Sequence, residues 1–203
     1  MKIDTAIYQL RSQPQLFLGT NLLNLAGAPA SGPRVSYFCR YDGIAHTVNE
    51  GFCIRPTPIN SIATGIDGKA YTAIGVHSVR MNPNTEDLDV SAIEPYVLGV
   101  GGPDIMVTGQ LSACIFVVQQ VGAQLIVAHI QPGGGRQTAT TLRQTLKLMG
   151  RFAGYGRATH VFGLGDYPAR AYVVGVRQAG TWHLYGQKVV GAGGPIQGVT
   201  QII

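Results

Sequence analysis

The chain has 203 residues, a net charge of +5, 12% charged residues, 45% hydrophobic residues and 28 glycines. That length supports one substantial core, and no stretch has the composition of a linker, so one catalytic or binding domain over residues 1–203 is expected. The balance excludes a disordered chain and argues against a helical bundle. With no Lys/Arg run longer than two and scattered aromatics, it gives nucleic acid little support, and an acidic protein face suits the charge as well.

Residues 4–11 read as a short helix with Asp4 as N-cap and Ile7 and Leu10 inward, stopped near Pro14. Leu16 to Leu18 and Leu22 to Leu25 supply apolar mass around Gly19, and residues 27–33 read as loop. Val35 to Tyr41, Thr47 to Ile54 and Tyr71 to Val79 are β-branched and aromatic runs bounded by turn residues, which predicts strands. Met81 to Asp89 reads as a polar turn, with Glu86, Asp87, Asp89 and nearby Glu94 forming a solvated acidic cluster. Asp104 to Thr108, Ala113 to Gln120 and Gln124 to Ile130 are extended, the last two joined by a tight turn at Val121-Gly122-Ala123. Gly133-Gly134-Gly135 closes this set as a flexible loop. Leu142, Leu146 and Met149 then mark a helix over Thr138 to Met149 with Gly150 as its stop. Strands follow at Thr159 to Phe162, Ala171 to Val176 and Trp182 to Val190. Many strands, one or two helices and no βαβ alternation predict an α+β fold, two packed sheets flanked by helices.

Cys39, Cys53 and Cys114 make a poor disulfide framework. Cys39 and Cys53 can pair in principle, but both read better as small buried hydrophobes in strands. Met1 to Asp4 lacks an apolar signal core, and no apolar run is long enough for a bilayer. Synthesis in a reducing cytoplasm without a cleavable signal peptide is expected, as is the absence of a membrane partner.

The stretch that carries chemistry is Thr108-Gly109-Gln110-Leu111-Ser112-Ala113-Cys114, with Ala128-His129-Ile130 fifteen residues on. A hairpin whose first strand opens at Cys114 and whose second closes at His129 returns the two side chains to one end. A thiol needs a base for its proton before it attacks a carbonyl or carboxamide carbon, and an imidazole supplies one. A third group must hold that imidazole; Thr108 and Gln110 are the local candidates. Backbone N–H groups around Ala113 and Cys114, beside Ser112, are candidates for an oxyanion site, because small residues leave the backbone accessible. The bland reading stands beside this one: among Leu111, Ala113, Ile115 and Phe116, Cys114 is an inert buried thiol, and His129 between Ala128 and Ile130 is a core histidine.

Leu-Ser-Ala-Cys preceded by Thr-Gly-Gln, with Ala-His on the next strand, resembles the Cys–His glutamine deamidases. These include the catalytic domain of cytotoxic necrotizing factors, the Burkholderia lethal factor toxin and the chemotaxis deamidase CheD. The resemblance covers residues 104–132. It departs from the family pattern at Ala113, where glycine is usual, and at Gln131-Pro132 after the histidine. It implies a deamidase-toxin-like sandwich of two mixed sheets, with Cys114 as nucleophile, His129 as general acid/base, Thr108 as the group orienting it, and Ser112, Ala113 and Gln110 about the substrate and its oxyanion. The activity implied is hydrolysis of a glutamine side chain to glutamate on a target protein, without cofactor or metal. The setting implied is a bacterial toxin or effector delivered to a host cytosol, where the substrate would be a GTPase or translation factor. A shallow, exposed site follows from a substrate glutamine on a folded protein. The competing readings are another thiol amidohydrolase or peptidase, and a non-enzymatic β-rich binding module.

Other features are weaker. Gly133-Gly134-Gly135-Arg136 lacks the Lys-Ser/Thr of a phosphate-binding loop, and Gly163-Leu164-Gly165 reads as a turn. His46, His77, His160 and His183 match no zinc spacing, and Tyr172, Trp182 and Tyr185 read as core aromatics.

Overall fold

The computed structural model describes residues 1–27, 30–41, 51–58, 71–85, 93–133, 135–148, 160–191 and 194–203. Helix α1 (Ile3–Ser12) buries Ile3, Ala6, Ile7 and Leu10, whose spacing of three and four puts them on one face. It starts earlier than its composition suggests, so Asp4 is not the N-cap. That position falls to Lys2, whose side chain makes no capping bond, and Asp4 lies in the first turn. There its charge suits the positive end of the helix dipole, and it accepts a hydrogen bond from Thr72 Oγ1 at 3.3 Å. Pro14 does more than stop this helix. It opens a second one, α2 (Pro14–Thr20), at the position where a missing N–H costs nothing. The segment from Leu16 to Leu18 is therefore helical.

Two mixed sheets form the body. The larger runs β1 (Leu22–Leu25), β3 (Gly51–Arg55), β2 (Gly32–Tyr41), β4 (Tyr71–Val79), β7 (Ile105–Thr108), β11 (Arg170–Gln178), β12 (Thr181–Val189) and β13 (Ile196–Gln201) in spatial order. Its β1–β3 and β4–β7 pairs are parallel and its other pairs antiparallel. The smaller runs β10 (His160–Phe162), β8 (Ile115–Val121), β9 (Gln124–Pro132) and β5 (Met81–Thr85), and β6 (Tyr96–Leu98) also pairs with β9. Helix α3 (Gly135–Leu148) buries Leu142 and Leu146 against the outer face of this sheet, with Ile115, Val117, Ala128 and Ile130. Between the sheets lie Met106, Phe116, Val118, Val127, Val173 and Leu184. Helices α1 and α2 cover the far face of the large sheet through Leu10, Phe17, Phe38, Phe52 and Tyr172. The architecture is a four-layer α/β/β/α sandwich, α+β in class.

Several expectations change. Met81 to Thr85 is a strand, not a turn: it pairs in parallel with β9 as the terminal strand of the small sheet. Pro83 is tolerated because an edge strand has one row of N–H groups without ladder partners. Gly135 begins α3 rather than ending a loop. Helix α2 and strands β1, β6 and β13 had no expected counterpart. The hairpin turn is Gly122-Ala123, with Val121 paired to Gln124 and Gly122 at φ 60°. Residues 47–50, 86–89, Met149, Gly150 and Thr159 lie outside the described residues, as does His46. No helix among the described residues is long and apolar enough to cross a membrane.

Candidate active site

Strand register brings the expected dyad to one surface. Phe116 on β8 stands directly opposite His129 on β9, so both side chains point to the same face of the small sheet. Cys114 immediately precedes β8, and its side chain joins Phe116 and Val118 in the cluster between the sheets, while Ile115 and Val117 face α3. Cys114 and His129 therefore share the inward face as diagonal neighbours, one step beyond the end of the β8–β9 ladder, and no hydrogen bond joins them at rest.

His129 is held from its far side. Thr108, at the end of β7, sits with Oγ1 2.8 Å from His129 Nδ1 and 2.9 Å from the carbonyl oxygen of Val79. A hydroxyl has one proton. Val79 can only accept, so Thr108 donates to it and in turn accepts from Nδ1–H. The imidazole is thereby fixed as the Nδ1–H tautomer, and its Nε2 carries a lone pair. That Nε2 is buried and meets no hydrogen-bond partner among the described residues. Burial pushes the His129 pKa down to about 4, so at neutral pH it is an uncharged base.

The turn before Cys114 is held as firmly. Leu111 and Ala171 exchange backbone hydrogen bonds of 2.8 and 3.0 Å, and Tyr167 Oη donates to the Cys114 carbonyl at 2.7 Å. Between these anchors Ala113 takes φ 62°, a left-handed conformation that costs a residue bearing a Cβ about 1–2 kcal/mol. Glycine, usual there in the resembling family, has no such cost. The Cys114 thiol donates to the Ser112 carbonyl at 3.6 Å, and burial raises its pKa, so at rest it is a thiol.

Gln110 does not orient the histidine; Thr108 does. Gln110 Oε1 instead accepts from Tyr172 Oη at 3.2 Å and Arg170 Nη1 at 3.3 Å. Gln110 and His129 both line a cavity of about 470 Å³, together with Gly27, Arg80, Met81, Pro83 and Gly109. Gly109 packs so closely there that a Cβ on it would lie 3.1 Å from Gly27 Cα. Where a shallow, exposed site was expected, these side chains are buried: Thr108 and His129 are each 1% exposed and Cys114 3%, and Cys114 does not line the cavity. Ser112 is exposed and Ala113 partly so.

Sequence reasoning missed Asn82, Tyr167 and the Val79 carbonyl. Asn82 donates to the His129 carbonyl at 3.1 Å and accepts from Glu94 N at 2.9 Å, which fixes the β9 backbone at the histidine. It lies in the segment read as a turn, and β5 pairing is the only signal of its role. Glu94, assigned to a solvated acidic cluster, pairs with Arg80 at 2.5 Å. His77 binds Tyr96 through Nδ1 at 2.7 Å and lies outside this site. Tyr172, Trp182 and Tyr185 are buried. No group of three or more His, Cys, Asp or Glu side chains among the described residues is arranged to hold a metal. Compared with known proteins, the chain matches no protein-family model and no curated protein.

Proposed function

We propose that the chain is a cofactor-independent Cys–His glutamine deamidase acting on a macromolecular substrate, with a deamidase-toxin-like fold. The observation that carries this reading is His129, whose Nδ1 is committed to Thr108 and whose Nε2 is left buried without a partner. A base with one nitrogen anchored and one lone pair unused, diagonal to a cysteine on a left-handed turn, fits a nucleophile–base–orienter arrangement.

The Cys114 side chain turns from the Ser112 carbonyl toward Nε2, which takes the thiol proton as sulfur bonds to the carboxamide carbon. Carbonyl electrons move to oxygen, which the backbone N–H groups at Ala113 and Cys114 stabilise. The oxyanion collapses, the C–N bond breaks, and the imidazolium returns its proton to the departing ammonia. Water then attacks the thioester, giving a proton to Nε2; the C–S bond breaks, glutamate leaves, and the imidazolium returns that proton to the Cys114 sulfur. The cavity beside Gln110 reaches His129 but not Cys114, so the turn of the thiol toward Nε2 is also what brings it to a carboxamide entering there. Carried by resemblance, the protein is a bacterial effector delivered to a host cytosol.

A second reading, an inert buried cysteine in a β-rich binding module, is favoured by the burial and raised pKa of Cys114. Alkylation of the native protein with iodoacetamide, followed by peptide mapping, separates the two. The deamidase reading expects Cys114 to label well before Cys39 and Cys53, and His129→Ala to remove that preference. Equal rates at all three would sink it. Ammonia release without chain cleavage from a treated protein extract then distinguishes deamidation from peptide hydrolysis, which leaves new termini.

A further inference from the structure

The open seam of the sandwich has charge and shape that the dyad does not use. β13 ends the large sheet and β10 ends the small one. Between them lies a cavity of about 540 Å³ lined by His160 and Phe162 on one side and Thr200 and Gln201 on the other. A neighbouring cavity of about 700 Å³ shares Gly165, Asp166 and Lys188 with it and extends to Thr140 and Gln197. Together they form one groove along β13, each part within the size of ordinary ligand sites, about 300–1,000 Å³.

The groove is positive. Lys147 from α3 and Lys188 from β12 both line its first part, and neither meets a carboxylate within ion-pair distance among the described residues. Asp166, the acidic side chain in both parts, is already neutralised: both its oxygens accept from Arg143 Nη2 at 2.6 Å, and one also accepts from Gly163 N at 2.9 Å. Two uncompensated ammonium groups therefore face a cavity flanked by a sheet edge. The outer edge of β13 has no neighbouring strand among the described residues, leaving a row of backbone donors and acceptors open. An extended segment can pair with such an edge, and its alternate side chains then point to one side.

We propose that this groove binds an extended, acidic peptide segment of a partner protein, which adds along β13 and turns its carboxylates toward Lys188 and Lys147. Nucleic acid fits less well, since Phe162 is 3% exposed and offers no stacking face, which leaves the His160 ring alone, among the described residues lining the first part, to meet a base.

The test uses the full chain and a fluorescein-labelled peptide of alternating glutamate and valine, read by anisotropy. Saturable binding is expected, weakening as salt screens the pairing. Lys188→Glu and Lys147→Glu should each weaken it roughly tenfold, whereas Lys2→Glu, a distant exposed control, should not. The matching glutamine–valine peptide should bind far more weakly. Absent binding, or equal losses in all three charge variants, would overturn the proposal. Preference for a single-stranded RNA oligonucleotide over the peptide would do the same. Charge variants that leave peptide binding intact but make the protein self-associate would reduce the lysines to guards of an exposed edge.

Discussion

Two regions of this protein bury thiols in sheet structure, and they differ in the group each thiol faces. Cys39 and Cys53 stand directly opposite one another in the regular β2–β3 ladder, both reduced and buried. Their hydrogen bond, together with burial, raises the Cys53 pKa. Cys114 is as buried and its pKa is also raised, but it follows a left-handed alanine and lies diagonal to an imidazole with an unused lone pair. On the proposed reading, burial alone would not distinguish a nucleophile from a packing residue. What distinguishes these two is the neighbour available to take a proton and the backbone cost maintained beside it.

The largest expected effect is on activity. Cys114→Ser and His129→Ala should each lower ammonia release by on the order of 10³-fold or more, while Cys53→Ala leaves it within a few-fold; activity retained in Cys114→Ser would erase the contrast. Acid should act next, through stability. His129 has a folded pKa of about 4 against an ordinary 6.5, so the unfolded chain binds more protons across that window. Its contribution is complete above pH 6.5, declines as pH falls and is lost below about 4, amounting to at most on the order of 3 kcal/mol. Urea unfolding should show this loss, and His129→Gln should flatten it; an unchanged acid slope in the variant would remove His129 as its source.

Thr108→Val keeps the shape but strips the acceptor from His129 Nδ1–H. A cost of about 1–3 kcal/mol in stability is expected, because the donor is left buried and unpaired. Activity should fall with it, and Thr108→Ser should restore both; a silent valine variant would mean that the tautomer is set elsewhere. The smallest effect is at Ala113. Ala113→Gly should raise stability by about 0.5–1 kcal/mol, the relief of a left-handed Cβ offset in part by the greater freedom of glycine when unfolded. A destabilised glycine variant would show that the turn is held by the methyl group rather than against it.

Much of this was legible locally. The β-branched and aromatic run bounded by turn residues at Tyr71 to Val79, the hairpin at Gly122-Ala123 and the spacing of Leu142 and Leu146 are properties of neighbouring residues, and strands and helix form there. Met81 to Thr85 was illegible for the opposite reason. Asn82, Pro83 and Asn84 favour turns in isolation, and only pairing with β9 holds them extended.

The same division runs through the candidate site. The sequence by itself determined the residue types and the hairpin interval between Cys114 and His129, because both follow from the order of side chains along one antiparallel pair. The residues left Thr108 and Gln110 both open and the resemblance implied Thr108; the tertiary structure places Thr108 on the imidazole, because β7 packs beneath β9 with the Val79 carbonyl taking the hydroxyl proton. It alone decided that Ala113 is left-handed, because two distant anchors, Ala171 and Tyr167, hold the turn at both ends. Contacts between residues far apart in the chain leave no local signature, and the chemistry of His129 rests on such contacts.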